Sequence, residues 1–221
     1  MTTKFVTATE MKALDAATIN GHGVPSLVLT ERAALASVRV LRDELFDLSS
    51  VVVVCGPGNN GGDGVAVARL LHLAGVRVSC ALVDGKRSDE TCRQLSIARS
   101  YAVPVDALSE VAQLVATNPP TTVVDALLGI GGDRAPAGDF LTAVRFMNDA
   151  RRAGAKTLAI DMPSGVSADS GAAPGEATQA DVTVTFAYEK VGLTLPPGSA
   201  LAGTVVVMDI GIYDSYTAQN R

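Results

Sequence analysis

Five consecutive apolar residues, Val51-Val52-Val53-Val54-Cys55, run directly into Gly56-Pro57-Gly58-Asn59-Asn60-Gly61-Gly62-Asp63-Gly64. A strand with no polar position must be covered on both faces, which is the habit of parallel sheets flanked by helices. The rest of the chain keeps the strand–helix rhythm that such a sheet needs. Thr7 and Glu10 are spaced as a capping box for a first helix with Met11, Leu14 and Ala17 on one side. Gly21 and Gly23 end it, and Pro25 with Ser26 opens a second helix reaching about Phe46. After the glycine-rich stretch the pattern predicts a helix over 62–74, a strand over 76–83, a helix over 89–101 and a short extended piece at 103–105. A helix over 109–116, a strand over 122–126, a helix over 139–153 and a strand over 157–161 follow. The last strands, 181–186 and 204–209, have no long helix between them and read as a hairpin-like edge. The expected fold is a Rossmann-like three-layer α/β/α sandwich, its sheet mostly parallel with right-handed crossovers, in one domain spanning 1–221.

Composition excludes several function classes. With 48% hydrophobic and 19% charged residues the chain has the apolar surface a folded core requires. No apolar run reaches the ~18–20 residues that span a bilayer, and the start, MTTKFVTATEMK, has no apolar segment of a secretory signal. A soluble, cytoplasmic protein is expected. A net charge of −5, no Trp and 4% aromatics leave neither a basic surface nor stacking platforms for nucleic acid. Cys55, Cys80 and Cys92 form no close pair in sequence, and the first two read as small buried hydrophobes. Two histidines, His22 and His72, give a zinc site or a Ser-His-Asp triad little to draw on.

In open α/β sheets ligands bind beyond the carboxyl ends of the strands. Four segments following predicted strands therefore matter: 56–64, 125–138, 161–171 and 186–198. The first matches G-x-G-x-x-G between a strand and a helix, and Asp84 stands at the end of the next strand, where a ribose-binding acid belongs. Asp63 argues against a plain cofactor loop, because it puts a carboxylate near the helix start that would hold a pyrophosphate. A P-loop is excluded, since Gly62 and Asp63 replace its Lys and Ser/Thr. A tight turn capped by Asp63 explains one or two glycines but not five around two asparagines, so a ligand site outweighs it.

The stretch 56–64, with Val65-Ala66-Val67-Ala68-Arg69 behind it, resembles the GPGNNGGDG-x-VAAR signature of the YjeF N-terminal family, the NAD(P)H-hydrate epimerases. The resemblance runs through 11–34, VDALLG at 124–129, IDMPSG at 160–165, 193–198 and LAGTVVVMDIG at 201–211, nearly the whole chain in family order. It departs at Ala34, where the family has glycine, and around 188–192, where Lys190 and Gly192 are kept without the family's prolines. The resemblance implies an epimerase that interconverts the R and S forms of hydrated NADH and NADPH (NADHX and NADPHX), so that a partner dehydratase can restore the coenzyme. It implies substrate contacts by Asn59, Asn60, Gly61, Gly62, Asp63, Gly129, Ile130, Gly131, Gly132, Asp133, Arg134, Ala135 and Asp161. It further implies a potassium ion on Asn60, Asp125 and Ser164, and a homodimer.

The residues bear this chemistry on their own terms. A hard monovalent cation takes oxygen ligands, which an Asn carbonyl, a carboxylate and a hydroxyl at three strand ends supply. Without the resemblance, Asp125 as a turn cap and Ser164 in an ST-turn are the favoured readings. Epimerisation needs a proton acceptor and donor beside the hydroxyl, and Asp161, beside the turn-forming Pro163-Ser164-Gly165, is the candidate. A carboxylate that only binds substrate hydroxyls fits the same position. Lys190 is a weaker candidate, reading first as an ordinary solvated lysine. Ser164 lacks G-x-S-x-G surroundings and is a poor hydrolase nucleophile. Two other functions compete: an NAD(P)-dependent oxidoreductase, carried by the fingerprint and Asp84, and a non-catalytic nucleotide-binding or dimerisation module. The joint presence of Asn60, Asp125, Asp161 and Ser164 speaks against the module.

Overall fold

The computed structural model describes residues 5–214. In chain order the elements are β1 (Phe5–Val6), α1 (Ala8–Ala16), α2 (Ser26–Asp43), β2 (Val51–Cys55), α3 (Asn59–Leu73), β3 (Val78–Leu82), α4 (Asp89–Ser100), β4 (Val105–Ala107) and α5 (Leu108–Val115). They continue with β5 (Thr122–Ala126), α6 (Asp139–Arg152), β6 (Lys156–Ile160), β7 (Val182–Phe186), β8 (Glu189–Lys190), α7 (Val191–Thr194), α8 (Gly198–Leu201) and β9 (Thr204–Met208). Seven strands form one sheet in the order β4-β3-β2-β5-β6-β7-β9, every neighbouring pair parallel.

β2 is buried at all five positions, as an all-apolar strand requires. Its side chains alternate: Val51, Val53 and Cys55 join a core under α2, α3 and α4, while Val52 and Val54 join a second core under α5 and α6. This gives the three layers expected from the sequence. Strand order reverses between the neighbouring strands β2 and β5, whose outgoing connections lead to opposite halves of the sheet and leave a crevice at their carboxyl ends. No helix among the described residues is long and apolar enough to cross a membrane.

Two local expectations need correction. The edge formed by β7 and β9 is not a hairpin: the strands run parallel, register Val182↔Thr204 to Phe186↔Met208. Two one-turn helices, α7 and α8, supply the crossover that a longer helix usually makes, which is why no helical period is visible between them. Helix α1 has the capping box, Glu10 N–H to Thr7 Oγ1 at 3.2 Å and Thr7 N–H to Glu10 Oε2 at 2.7 Å. Its inner face, however, carries Ala8 and Met11, and Ala17 is exposed. A π-helical turn over Ala17–Gly21 shifts the register there. Cys55 and Cys80 are free buried thiols, as expected, and meet on adjacent strands with sulfurs 3.4 Å apart.

Helix α3 begins three residues before its expected start because the glycines admit it to the sheet edge. A Cβ on Gly61 would lie 1.8 Å from the Gly56 carbonyl oxygen, and one on Gly64 2.3 Å from Ala126 Cβ. These two glycines serve close helix–strand packing, while Gly58, with nothing within 4 Å of its Cβ position, is open to the crevice.

Candidate active site

A cavity of about 420 Å³ occupies the crevice, within the usual size of a small-molecule site. Its walls come from α1 (Met11, Lys12, Asp15), the start of α2, the α3 N-terminus (Asn59, Asn60, Asp63), the loop after β5 (Gly129 to Gly131) and the edge holding Asp161, Phe186 and Lys190. Helix α1 is held over the sheet edge at its start. β1 pairs in parallel with β8, Val6 opposite Lys190, and the Ala8 N–H donates to Asp169 Oδ1 at 2.6 Å.

Asp161 follows β6 directly. It has φ +70, a left-handed conformation that a non-glycine residue adopts only when its surroundings enforce it. Its N–H donates to the Val184 carbonyl at 2.7 Å, which anchors the turn and leaves the side chain in the cavity. Asp161 Oδ1 accepts from Lys190 Nζ at 2.5 Å and from the Thr185 hydroxyl at 3.2 Å. Lys190 is 1% exposed, and its ammonium also donates to Thr185 Oγ1 at 2.8 Å and the Phe186 carbonyl at 3.0 Å. It is therefore no solvated lysine: burial of an ammonium is tolerable only with such a set of acceptors. The expectation of a solvated lysine is corrected by β8, where Lys190 pairs with Val6 of β1 and is buried.

Two further carboxyls share the cavity. Burial raises the Asp15 pKa to about 6, the charge of Asp161 adding to the effect and that of Lys190 opposing it. Burial also pushes Asp63 well above the ordinary carboxylate range, again with Asp161 adding, while the neighbouring Thr30 hydroxyl lowers it. Asp63 stands in the second turn of α3 rather than at its cap, which is Gly58. Asp15 is absent from the sequence-based candidates because the pattern around it points the helix at the core; its spacing, four residues after buried Met11, is the available signal.

The proposed cation ligands fall into two groups that meet at the carboxyl ends of β5 and β6. Asp125 is fully buried; Ser164 donates to Oδ2 through its N–H at 2.8 Å and to Oδ1 through its hydroxyl at 2.7 Å, and the Leu127 N–H adds 3.1 Å to Oδ1. The Asn60 amide bridges neighbouring strand ends, donating to the Ile160 carbonyl and accepting from the Gly129 N–H, both at 3.2 Å. Burial raises the Asp125 pKa despite these hydrogen bonds, and no basic side chain contributes to offset it. The Thr178 hydroxyl faces the carboxyl and opposes that rise. A buried carboxyl without a cationic side chain, beside two hydroxyls and an amide, is a donor set of oxygens that fits a monovalent cation.

Of the residues expected to contact substrate, Asn59, Asn60, Asp63, Gly129, Ile130, Gly131 and Asp161 line the cavity. Gly61 and Gly62 are buried behind it, Gly62 against Thr91. Gly132, Asp133, Arg134 and Ala135 continue the loop beyond the lining, with Asp133 accepting from the Ser167 hydroxyl at 3.0 Å. Asp84 lies outside the cavity, its side chain 92% exposed and 3.9 Å from Arg87. The one residue beyond the fingerprint that favoured an intact-dinucleotide enzyme is thus not at the site.

Residues 26–192 match the family described as YjeF-related protein N-terminus. The NAD(P)H-hydrate epimerase of Limosilactobacillus reuteri is 48% identical, over 96% of this chain and 99% of its own. That of Levilactobacillus brevis is 46% identical, over 99% and 97% respectively. The crystal structure of the yeast protein ynu0 shares the fold, with TM-score 0.77 over 93% of this chain and 88% of its own, at 22% identity.

Proposed function

The chain belongs to the family of YjeF-related protein N-termini, and on that premise we propose that it is an epimerase interconverting the R and S forms of hydrated NADH and NADPH. The observation that carries the reading is the Asp161–Lys190 pair, fixed at a positive-φ strand end inside the switch-point cavity. Hydrated NADH bears a hydroxyl on a ring carbon bonded to nitrogen. When that C–O bond breaks, the electron pair leaves with oxygen, a proton joins it to make water, and the nitrogen lone pair forms a planar iminium. Water adding to the other face, with loss of a proton, gives the opposite epimer. No electrons are exchanged with a second substrate. Asp161 is positioned to give and take the proton, and the carboxylates around the cavity suit a ring that becomes cationic.

Asn60, Asp125 and Ser164 are the residues that would hold potassium, with Thr178 beside them. When bound there, the ion supplies a positive charge against the buried Asp125 and fixes the loops after β5 and β6. The functional partner in this reading is a dehydratase specific for one epimer. A homodimer is supported by exposed Val28 and Leu35 on α2 and by Tyr101 after α4. A cytoplasmic setting is supported by free thiols in place of disulfides.

The test is direct. Each NADHX epimer is incubated with the protein, and interconversion is followed by chromatography that resolves the two, with spontaneous epimerisation subtracted. Interconversion no faster than the spontaneous rate sinks the epimerase reading. Saturable hydride transfer with intact NAD would favour the oxidoreductase instead.

A further inference from the structure

Epimerisation through a planar iminium has a requirement that one carboxylate does not meet. The hydroxyl leaves from one face of the ring and water returns to the other, so acid–base groups are needed on both. Asp161 reaches the cavity from the strand edge, backed by Lys190. Asp15 reaches it from α1, a separate wall held across the edge by the β1–β8 pairing. The two carboxyls are close enough to repel yet are not bonded to each other, and Asp15 makes no hydrogen bond or ion pair among the described residues. A carboxyl with no protein partner, projecting into a ligand cavity, is free to serve the ligand.

We propose that Asp15 is the second acid–base residue of the reaction, serving the ring face opposite the one served by Asp161. The proposal rests on the epimerase reading. In one direction Asp15 gives its proton to the departing hydroxide as the C–O bond breaks, and Asp161 takes a proton from the water that adds to the other face. In the reverse direction the roles exchange, so the pair of carboxyls holds one proton throughout. The charges around Asp15 suit this use: Asp161 and Lys190 on the sheet edge, Asp63 on α3 and Lys12 on its own helix. Burial raises its pKa to about 6, with Asp161 adding and Lys190 opposing, so that both the acid and the base form are available around that pH.

Oxygen exchange separates the two faces. Each epimer is incubated in ¹⁸O-water with wild type, Asp15→Asn and Asp161→Asn, and inversion and ¹⁸O incorporation are measured together by chromatography and mass spectrometry. Wild type should invert both epimers with incorporation. Asp15→Asn should lose inversion by about 10²–10⁴-fold while still exchanging the hydroxyl of one epimer with retention, on the Asp161 face. Asp161→Asn should do the same for the other epimer. Retained exchange also shows that the variant is folded, and Asp15→Glu should restore part of the inversion.

The proposal is overturned if Asp15→Asn inverts at the wild-type rate, or loses inversion and exchange of both epimers together. It is overturned equally if the one-face exchange pattern arises in Asp63→Asn instead, or if wild type inverts without incorporating label, which indicates ring opening. Wild type that neither inverts nor exchanges overturns the epimerase reading on which the proposal rests.

Discussion

Ser164 engages both oxygens of Asp125, one through its backbone N–H at 2.8 Å and one through its hydroxyl at 2.7 Å. The pairing ties the turn after β6 to the end of β5, and so fixes Asp161, three residues earlier, relative to the switch point. Asp125→Ala leaves the buried Ser164 and Leu127 donors without an acceptor, at a cost of about 1–3 kcal/mol. If the cation is bound here, potassium salts should raise the wild-type Tm above its value in choline salts, and the variant should lose that difference. Identical wild-type melts in the two salts would remove the cation from the reading.

Lys190→Met should destabilise the protein by about 3 kcal/mol, because it strips the buried partner from Asp161 while keeping the volume. In Lys190→Met with Asp161→Asn much of that stability should return, since no uncompensated charge remains, but activity should not. Urea denaturation of the two single variants and the double variant measures the coupling. Strictly additive losses would mean that the pair is not energetically linked.

The pH dependence of stability should carry the signature of Asp15. Its pKa rises from an ordinary 3.8 to about 6 in the folded protein. Below 3.8 the carboxyl is protonated in both states and the shift has no effect. As pH rises through 6 the folded state must bear a charge that the unfolded state carries more easily, and stability is lost. Asp15→Asn should therefore be as stable as wild type near pH 3.5 and more stable above pH 7. The gain should be about 1–2 kcal/mol once solvent screening at this half-buried position is allowed for. A constant difference across that range contradicts the assignment.

Two glycines of the same stretch should respond to alanine with losses of very different size. A methyl on Gly64 would lie 2.3 Å from Ala126 Cβ and 2.9 Å from Cys55 Sγ, so Gly64→Ala should lower Tm by about 5–10 °C despite the better helix propensity of alanine. Gly58 has open space at that position, and Gly58→Ala should cost about 1 kcal/mol or less, through loss of a good N-cap. Equal losses would show that the glycines serve flexibility rather than close packing.

The layers and the cavity's position are readable from the apolar runs and the glycine turn, because burial on both faces leaves continuous apolar stretches between helical segments. Asp161 and its neighbours Pro163-Ser164-Gly165 were readable because a strand end in this fold points at the ligand. Lys190 and Asp15 were not. Lys190 becomes buried through a two-residue strand, and Asp15 through a helix that lies over the crevice rather than the core; neither arrangement imprints a period on the sequence. The parallel pairing of β7 with β9 was hidden for the same reason, its crossover being made from two single turns.

The pairing of Phe5 and Val6 with Glu189 and Lys190 joins segments about 184 residues apart in the chain. On the ribosome the first of these emerges long before the second exists. The β2–α3–β3 unit closes over short distances and needs neither. Formation of the β2–α3–β3 unit and formation of the reactive chamber are therefore separate events in the life of the polypeptide. Asp15 comes near Asp161 only after Lys190 has been synthesised and has recruited the amino-terminal strand, so a nascent chain in which that unit has already formed is still chemically inert.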